Sequence, residues 1–154
     1  MQSFKIIKPI HILTPYVRYY WILEDGADVS VSERTLPTGC IQLVFHRGKR
    51  LLLVGKKESQ PQAFICGQCL KFSDGMSAGK RKMITVVFQP YAARAILQLP
   101  LKFFYGELIA VDAIEDLELS ILSRKVIEAD DHETCIRLIE QFLIHRLYRF
   151  EGYE

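Results

Sequence analysis

TLPTGCIQLVFHRG, residues 35–48, contains the alternation that decides the fold. A Pro-Thr-Gly turn signal precedes a run in which nearly every second residue is apolar, and a basic turn that contains glycine ends it. Side chains on an extended backbone alternate between two faces. One face carries Cys40, Gln42 and His46. The other face carries Ile41, Leu43 and Phe45. The stretch therefore predicts a strand with an apolar core face and a second face suited to a ligand pocket.

Composition places the chain among ordinary globular proteins. It has 154 residues, 49% hydrophobic and 25% charged, which is enough for one compact core. Twenty Lys and Arg against 18 Asp and Glu give a net charge of +2, too small for nucleic-acid binding through a strongly basic surface. No apolar run approaches the roughly 20 residues that span a bilayer, and the start, MQSFKIIKPIH, has no signal-peptide pattern. We therefore expect a cytoplasmic protein with no membrane partner.

The first two-thirds of the chain carry strand signals and the last third carries helix signals. Runs of β-branched and aromatic residues predict six strands, at residues 16–23, 30–36, 40–46, 50–56, 63–72 and 83–88. After Pro90 the apolar period becomes helical and predicts helices at residues 92–97, at 114–128 and from Asp130 or Asp131 to about 149. This order is typical of an α+β fold, with a small antiparallel β-barrel or sandwich followed by C-terminal helices.

The last predicted helix is amphipathic. Its start resembles a capping box, because Glu133 follows Asp130 by three residues. One apolar stripe repeats at three- and four-residue steps and consists of Ile136, Ile139, Leu143 and Leu147. Three further apolar residues lie beyond that stripe: Phe142, Ile144 and Phe150. Such a surplus often marks a partner surface, so we expect a homodimer.

The cysteines and histidines form no complete metal or catalytic motif. Cys66-Gly67-Gln68-Cys69 is a CxxC, but structural zinc needs four ligands and no second pair occurs. A redox CxxC needs a helix N-terminus, whereas these residues fall in a predicted strand. HxH, GxSxG, HExxH, P-loop and dinucleotide motifs are also missing from the sequence. We expect packing thiols, no metal, no cofactor and no catalysis.

Four segments, in order, resemble the amino-terminal domain of AraC-type bacterial transcription regulators: LTPYVRYYWIL, LPTGCIQLVFHRG, FICGQ and VVFQPYAARAILQLP. The resemblance covers about residues 9–149. Thr38 and Gln42 stand where the family pattern has Asp and Glu. The pattern's Arg and paired glycines are replaced by Gln89, Tyr91 and Ala92. Without a carboxylate at position 42, recognition of a cationic ligand should be weaker.

The resemblance implies a single regulatory domain over residues 1–150, with 151–154 starting a linker to a helix-turn-helix module that lies outside these 154 residues. In such a domain a small cupin-like β-barrel or sandwich encloses a pocket, and the terminal helices contact a second copy of the domain. We expect a non-catalytic domain that binds a small effector or mediates dimerisation and that meets DNA only through the helix-turn-helix module. The alternative is a stand-alone cupin-like enzyme or small-molecule binding protein.

Small-ligand sites commonly combine an aromatic plate with a few fixed polar groups. The candidate ligand-binding residues on this basis are Trp21, Gln42, His46 and Gln68. Each also has a plain structural interpretation, as a core tryptophan or as a polar side chain satisfied by its neighbours.

Overall fold

The computed structural model describes residues 2–25, 41–47, 52–53, 62–66, 75–76, 81–89, 92–97 and 108–151. Within these ranges the strands are β1 (Gln2–Ile7), β2 (Val17–Asp25), β3 (Gln42–His46), β4 (Leu52–Leu53), β5 (Ala63–Cys66), β6 (Gly75–Met76), β7 (Arg81–Phe88) and β8 (Leu108–Ala110). The helices are α1 (Ala92–Leu97), α2 (Leu117–Glu128) and α3 (His132–Glu151). Single 3-10 turns occupy His11–Leu13 and Val111–Ala113. The predicted strand at 30–36 lies outside the described residues.

The strands build one antiparallel sheet of six, in the order β1-β2-β7-β3-β5-β8, while β4 pairs only with β6 in a separate ladder. The predicted α+β class, a sheet followed by C-terminal helices, is confirmed. The described six-stranded sheet is open between its edges β1 and β8, so it is not the closed barrel that was one of the predicted forms. The strand from the opening stretch, β3, lies near the centre between β7 and β5.

One face of this sheet packs against α2 and α3 and forms the main core; we call it the helix face. Its buried residues in the strands, or directly before one in the case of Ile41, are Val17, Tyr20, Ile22, Ile41, Leu43, Phe45, Ala63, Ile65, Ile84, Val86 and Phe88. The helices contribute Leu119, Leu122, Val126, Cys135, Ile139, Leu143 and Leu147 to the same cluster. The predicted core face of β3 is therefore confirmed, and each large apolar side chain buried there contributes roughly 1.5–3 kcal/mol.

Aspartates set the starts of both C-terminal helices. Asp116 Oδ1 accepts a 3.1 Å hydrogen bond from the Leu119 amide at the start of α2. Asp131 Oδ1 accepts one of 2.7 Å from the Thr134 amide at the start of α3. The predicted capping box from Asp130 is wrong, because the neighbouring Asp131 occupies the position three residues before a free helix amide.

Arg146 connects the last helix to α1 and to the N-terminal cap of α2. It is only 5% exposed, and its Nη2 donates to both carboxylate oxygens of Asp116, at 2.6 and 2.7 Å. Its Nη1 donates to the Ile96 carbonyl in α1 at 3.1 Å. The guanidinium also lies 4.7 Å from the centre of the Phe142 ring. One buried cation thus joins α1, the cap of α2 and α3.

The predicted apolar surplus on α3 is not a free surface where the structure describes it. Phe142 and Ile144 are half-buried and pack against the core cluster. The side chain of Phe150 lies outside what is described. The described helices also include none long and apolar enough to cross a membrane.

Candidate ligand site on the far face of the sheet

The sheet face opposite the helix face is called the far face and consists of Trp21, Gln42, Val44, His46, Phe64, Cys66, Met83, Thr85 and Val87. Antiparallel sheets commonly leave one face in solvent. Here each of these residues is at most 5% exposed, so both faces of the central strands are buried. The far face is therefore an interior surface, separate from the core under the helices.

Strand register arranges the far face in three rows. The middle row consists of Trp21, Thr85, Val44 and Phe64. The row on one side consists of Val87, Gln42 and Cys66. The row on the other side consists of Met83 and His46. Gln42 and His46 thus flank the row that contains Trp21.

The structure brings together three of the four predicted ligand-binding residues, Trp21, Gln42 and His46, on this face. The centre of the His46 ring lies 5.7 Å from that of Phe64, with the two rings tilted by 34°. Gln68 lies outside the described residues, so its position relative to the far face stays a prediction. The aromatic plate lies on β2 and the two polar groups lie on β3, with β7 between these strands.

Two polar side chains on the far face have no hydrogen-bond partner within the described part of the chain. Gln42 is fully buried, and neither its Nε2 nor its Oε1 meets a donor or acceptor. Thr85 is also fully buried, and its Oγ1 is likewise unpartnered. A buried polar group left in this state costs about 1–3 kcal/mol. These two groups therefore need hydrogen-bond partners that the described residues do not supply.

Sequence reasoning missed Thr85, although a signal was present. It is the polar residue inside the apolar run MITVVF, residues 83–88. A single hydroxyl within a strand that is apolar on both faces has to be buried. Such a hydroxyl requires a partner, and this requirement marks Thr85 as part of the site.

The far face carries no charge in the rows described. Every described position from Met83 to Val87 and across to Phe64 and Cys66 is apolar, aromatic or a neutral amide or hydroxyl, with His46 as the one titratable ring. Carboxylates and ammonium or guanidinium groups are missing from these rows. The three rows therefore offer hydrogen bonds and aromatic contact, and the first charged positions on the same strand faces, Asp25 and Arg81, are partners in the β2–β7 register one step beyond Met83.

The thiols suit packing. Burial raises the pKa of Cys66 to about 12, so this thiol is protonated at neutral pH and is a poor nucleophile or metal ligand. Burial also raises the pKa of Cys135, whose Sγ donates to the Val126 carbonyl at 3.4 Å. Cys40 and Cys69 lie outside the described residues. Among those described, no group of three or more His, Cys, Asp or Glu side chains is placed to hold a metal ion.

A groove of about 720 Å³ lies between β1, β2 and α3. Three of its six polar lining residues, Asp131, His132 and Glu140, have partners within the protein. Glu140 accepts from the Tyr20 hydroxyl and from the Ile10 amide, both at 3.0 Å. His132 contacts Glu24 through its Nε2, and Asp131 caps α3. The groove is a weaker candidate than the far face, where the buried polar atoms of Gln42 and Thr85 are unpartnered within the described part of the chain.

One family comparison covers the sheet. Residues 5–110 match the family described as a domain of unknown function (DUF6597). The match contains the whole far face and stops at the end of β8, before α2 and α3. No curated protein matches the chain. Because the match covers more than half of its 154 residues, the chain belongs to the DUF6597 family.

Proposed function

We propose that this chain is a non-catalytic regulatory domain of an AraC-type transcription regulator and that it binds a small effector on the far face. The observation that carries the proposal is the pair of fully buried, unpartnered polar groups of Gln42 and Thr85 on the same sheet face as Trp21. Buried side chains kept only for packing are apolar or hydrogen-bonded. A bound molecule would supply the missing partners.

The position of β3 supports a sensing role. Gln42 faces the candidate site, and its neighbour Leu43 faces the core shared with α2 and α3. A ligand that shifts β3 would therefore change the packing of the C-terminal helices without contacting them. This coupling through one packed strand is the means by which we propose that effector binding is transmitted.

The regulator assignment rests on the order of the four similar segments and on the order of sheet and helices. A cupin-like sandwich is the finer fold that we propose. The alternative is a stand-alone cupin-like small-molecule binding protein or enzyme. A helix-turn-helix sequence in the same reading frame after residue 154 would favour the regulator, and a stop codon there would favour the alternative.

Dimerisation is the second part of the proposal. Leu117 and Ile121 lie one helical turn apart on α2 and are 75% and 42% exposed, so they offer a small apolar surface to a second copy. The test is sedimentation velocity of the wild type and of Leu117→Glu at micromolar concentration. We expect a dimer that the substitution weakens. A wild type that sediments only as a 17.8 kDa monomer would contradict this part.

Effector binding is tested by a thermal-shift screen with a library of cellular metabolites. We expect at least one compound to raise the melting temperature of the wild type and to lose most of this effect with Gln42→Leu. Gln141→Leu is the control, because Gln141 is exposed on α3, which packs against the helix face on the other side of the sheet. A compound that raises the melting temperature of both variants equally would indicate binding elsewhere on the molecule. A screen without any stabilising compound would count against an effector site.

A further inference from the structure

We propose that the far-face site selects an uncharged ligand that carries a hydrogen-bond donor and an acceptor side by side on a flat apolar body, as an aryl carboxamide or a lactam does. This inference rests on the proposed function, since it names the ligand class for the same site. It follows from the charge, the polar atoms and the rings of the far face.

Charge is the first selector. The described rows of the far face hold no carboxylate, ammonium or guanidinium group. An ion transferred to such a buried surface loses its hydration and finds no opposite charge. A neutral ligand loses much less hydration energy. A carboxylate at position 42 would favour a cation, and the amide of Gln42 removes that attraction.

The polar atoms of Gln42 give the second selector. Its Nε2 donates and its Oε1 accepts, and both are unpartnered and buried within the described part of the chain. A ligand amide satisfies both atoms at once through two parallel hydrogen bonds. A ligand with donors only, or with acceptors only, leaves one of the two atoms of Gln42 without a partner.

Thr85 extends this polar edge. It lies diagonally across the β3–β7 pair from Gln42, because Gln42 faces Val87 and Val44 faces Thr85. Diagonal neighbours in an antiparallel pair are about 7–8 Å apart. A ligand amide held by Gln42 therefore has a second polar contact within reach of the same small molecule.

The rings determine the shape. Trp21 lies directly opposite Thr85 on β2, and the tilted pair of Phe64 and His46 lies on the other side of the same surface. Aromatic walls favour a flat apolar body that contacts them by its face or its edge. A polyhydroxylated ligand would need more hydrogen-bond partners than Gln42 and Thr85 provide.

The experiment uses three probes of nearly equal size and shape that differ in charge: benzamide, benzamidinium and benzoate. Binding to the whole chain is titrated by ligand-observed NMR. The emission of Trp21, the one tryptophan in the sequence, is the second measurement. We expect benzamide to bind at least about tenfold more tightly than either ion, because each ion leaves a buried hydrogen-bonding atom unpartnered.

Variants locate the selection. Gln42→Glu should reverse the preference so that benzamidinium binds most tightly. Thr85→Val should weaken the binding of benzamide without changing the order of the three affinities. Gln42→Leu should abolish the preference, whereas the control Gln141→Leu on α3 should leave every affinity unchanged. If an ion binds the wild type more tightly than benzamide, with Trp21 responding, the neutral-ligand inference fails and the ligand site of the proposed function stands.

If none of the three probes binds, the inference also fails and ordered water becomes the explanation of the polar atoms. The metabolite screen then decides the proposed function by itself. If all three probes bind and no far-face variant alters their affinities, binding is elsewhere on the molecule and the inference is overturned.

Discussion

The hydroxyl of Tyr20 donates a 3.0 Å hydrogen bond to Oε2 of Glu140, a residue 120 positions later in the chain. Tyr20 is fully buried in β2, and Glu140 belongs to α3, so the bond joins the sheet directly to the last helix. Burial raises the pKa of Tyr20, and the negative charge of Glu140 raises this pKa further. The phenol therefore remains a donor at every physiological pH.

Tyr20→Phe should lower the free energy of unfolding by about 1.5–3 kcal/mol, because it removes a hydrogen bond to a charged acceptor. Urea unfolding measures the change. In a double-mutant cycle with Glu140→Gln, the double variant should lose less unfolding free energy than the sum of the two single losses. Additivity within about 0.3–0.5 kcal/mol would mean that the two side chains do not interact in solution.

Arg146→Ala should lower the free energy of unfolding by about 3–5 kcal/mol, because it leaves the carboxylate of Asp116 without its buried partner. Asp116 is 17% exposed and Arg146 is 5% exposed. Arg149→Ala is the matched control, since Arg149 pairs with Glu118 at 51% exposure and such surface pairs contribute about 0–1 kcal/mol. Similar losses for the two arginines would contradict the role of Arg146.

The pair between Asp116 and Arg146 also predicts a pH dependence. Burial alone would raise the pKa of Asp116, but hydrogen bonds from Arg146 and the Leu119 amide outweigh it and lower the pKa below its ordinary value. A lowered pKa in the folded state contributes stability above the unfolded pKa of about 4 and loses it as the pH falls through the folded value. The difference in unfolding free energy between wild type and Asp116→Asn should therefore be largest above about pH 5 and shrink below about pH 4. A difference that stays constant over this range would contradict the pairing.

Thr85→Val and Gln42→Leu should leave the ligand-free protein as stable as the wild type, or make it more stable by up to about 1–2 kcal/mol, because each removes buried polar atoms that lack partners. The melting temperature checks this. Groups that serve binding are commonly held at some loss of stability. A clear loss of stability in both variants would mean that these atoms are hydrogen-bonded in the free protein, for example to ordered water.

Cys66 should resist iodoacetamide at pH 8 in the native protein and react after unfolding, because burial holds its pKa at about 12. Fragment mass spectrometry distinguishes it from Cys69 on the same stretch of chain. Cys66→Ser should leave the fold intact with at most a modest loss of stability, and the purified protein should contain no stoichiometric zinc. Rapid native alkylation at Cys66 would contradict its placement in the far face.

The elements that the sequence predicted well are those with strong, continuous patterns. The 16–23 and 83–88 strand predictions correspond to β2 and β7, and the last two helices begin within three residues of their predicted starts. Their long apolar periods fix the face that must be buried. The edge strands β1 and β8 were missed, because short strands with one unpaired edge do not require a regular alternation.

The candidate site was predicted in part for a related reason. The alternation of side chains along a strand predicted that Gln42 and His46 share one face of β3, and the structure confirms this placement. The neighbourhood of Trp21, Thr85 and Gln42 depends on β7 lying between β2 and β3. Nothing local in the chain specifies that order, since the three strands are far apart in sequence.

The burial of both faces of β3 has a consequence for how this sequence can change. A one-residue insertion or deletion inside Gln42–His46 would exchange the two faces for the residues on one side of the change. Directly after Gln42, for example, it would place His46 among the helices and Leu43 and Phe45 on the far face. Because both faces of β3 are buried, the displaced side chains could not be accommodated by exposure to solvent. We therefore expect the length of β3 to be invariant among natural variants of this chain, even where its individual side chains differ.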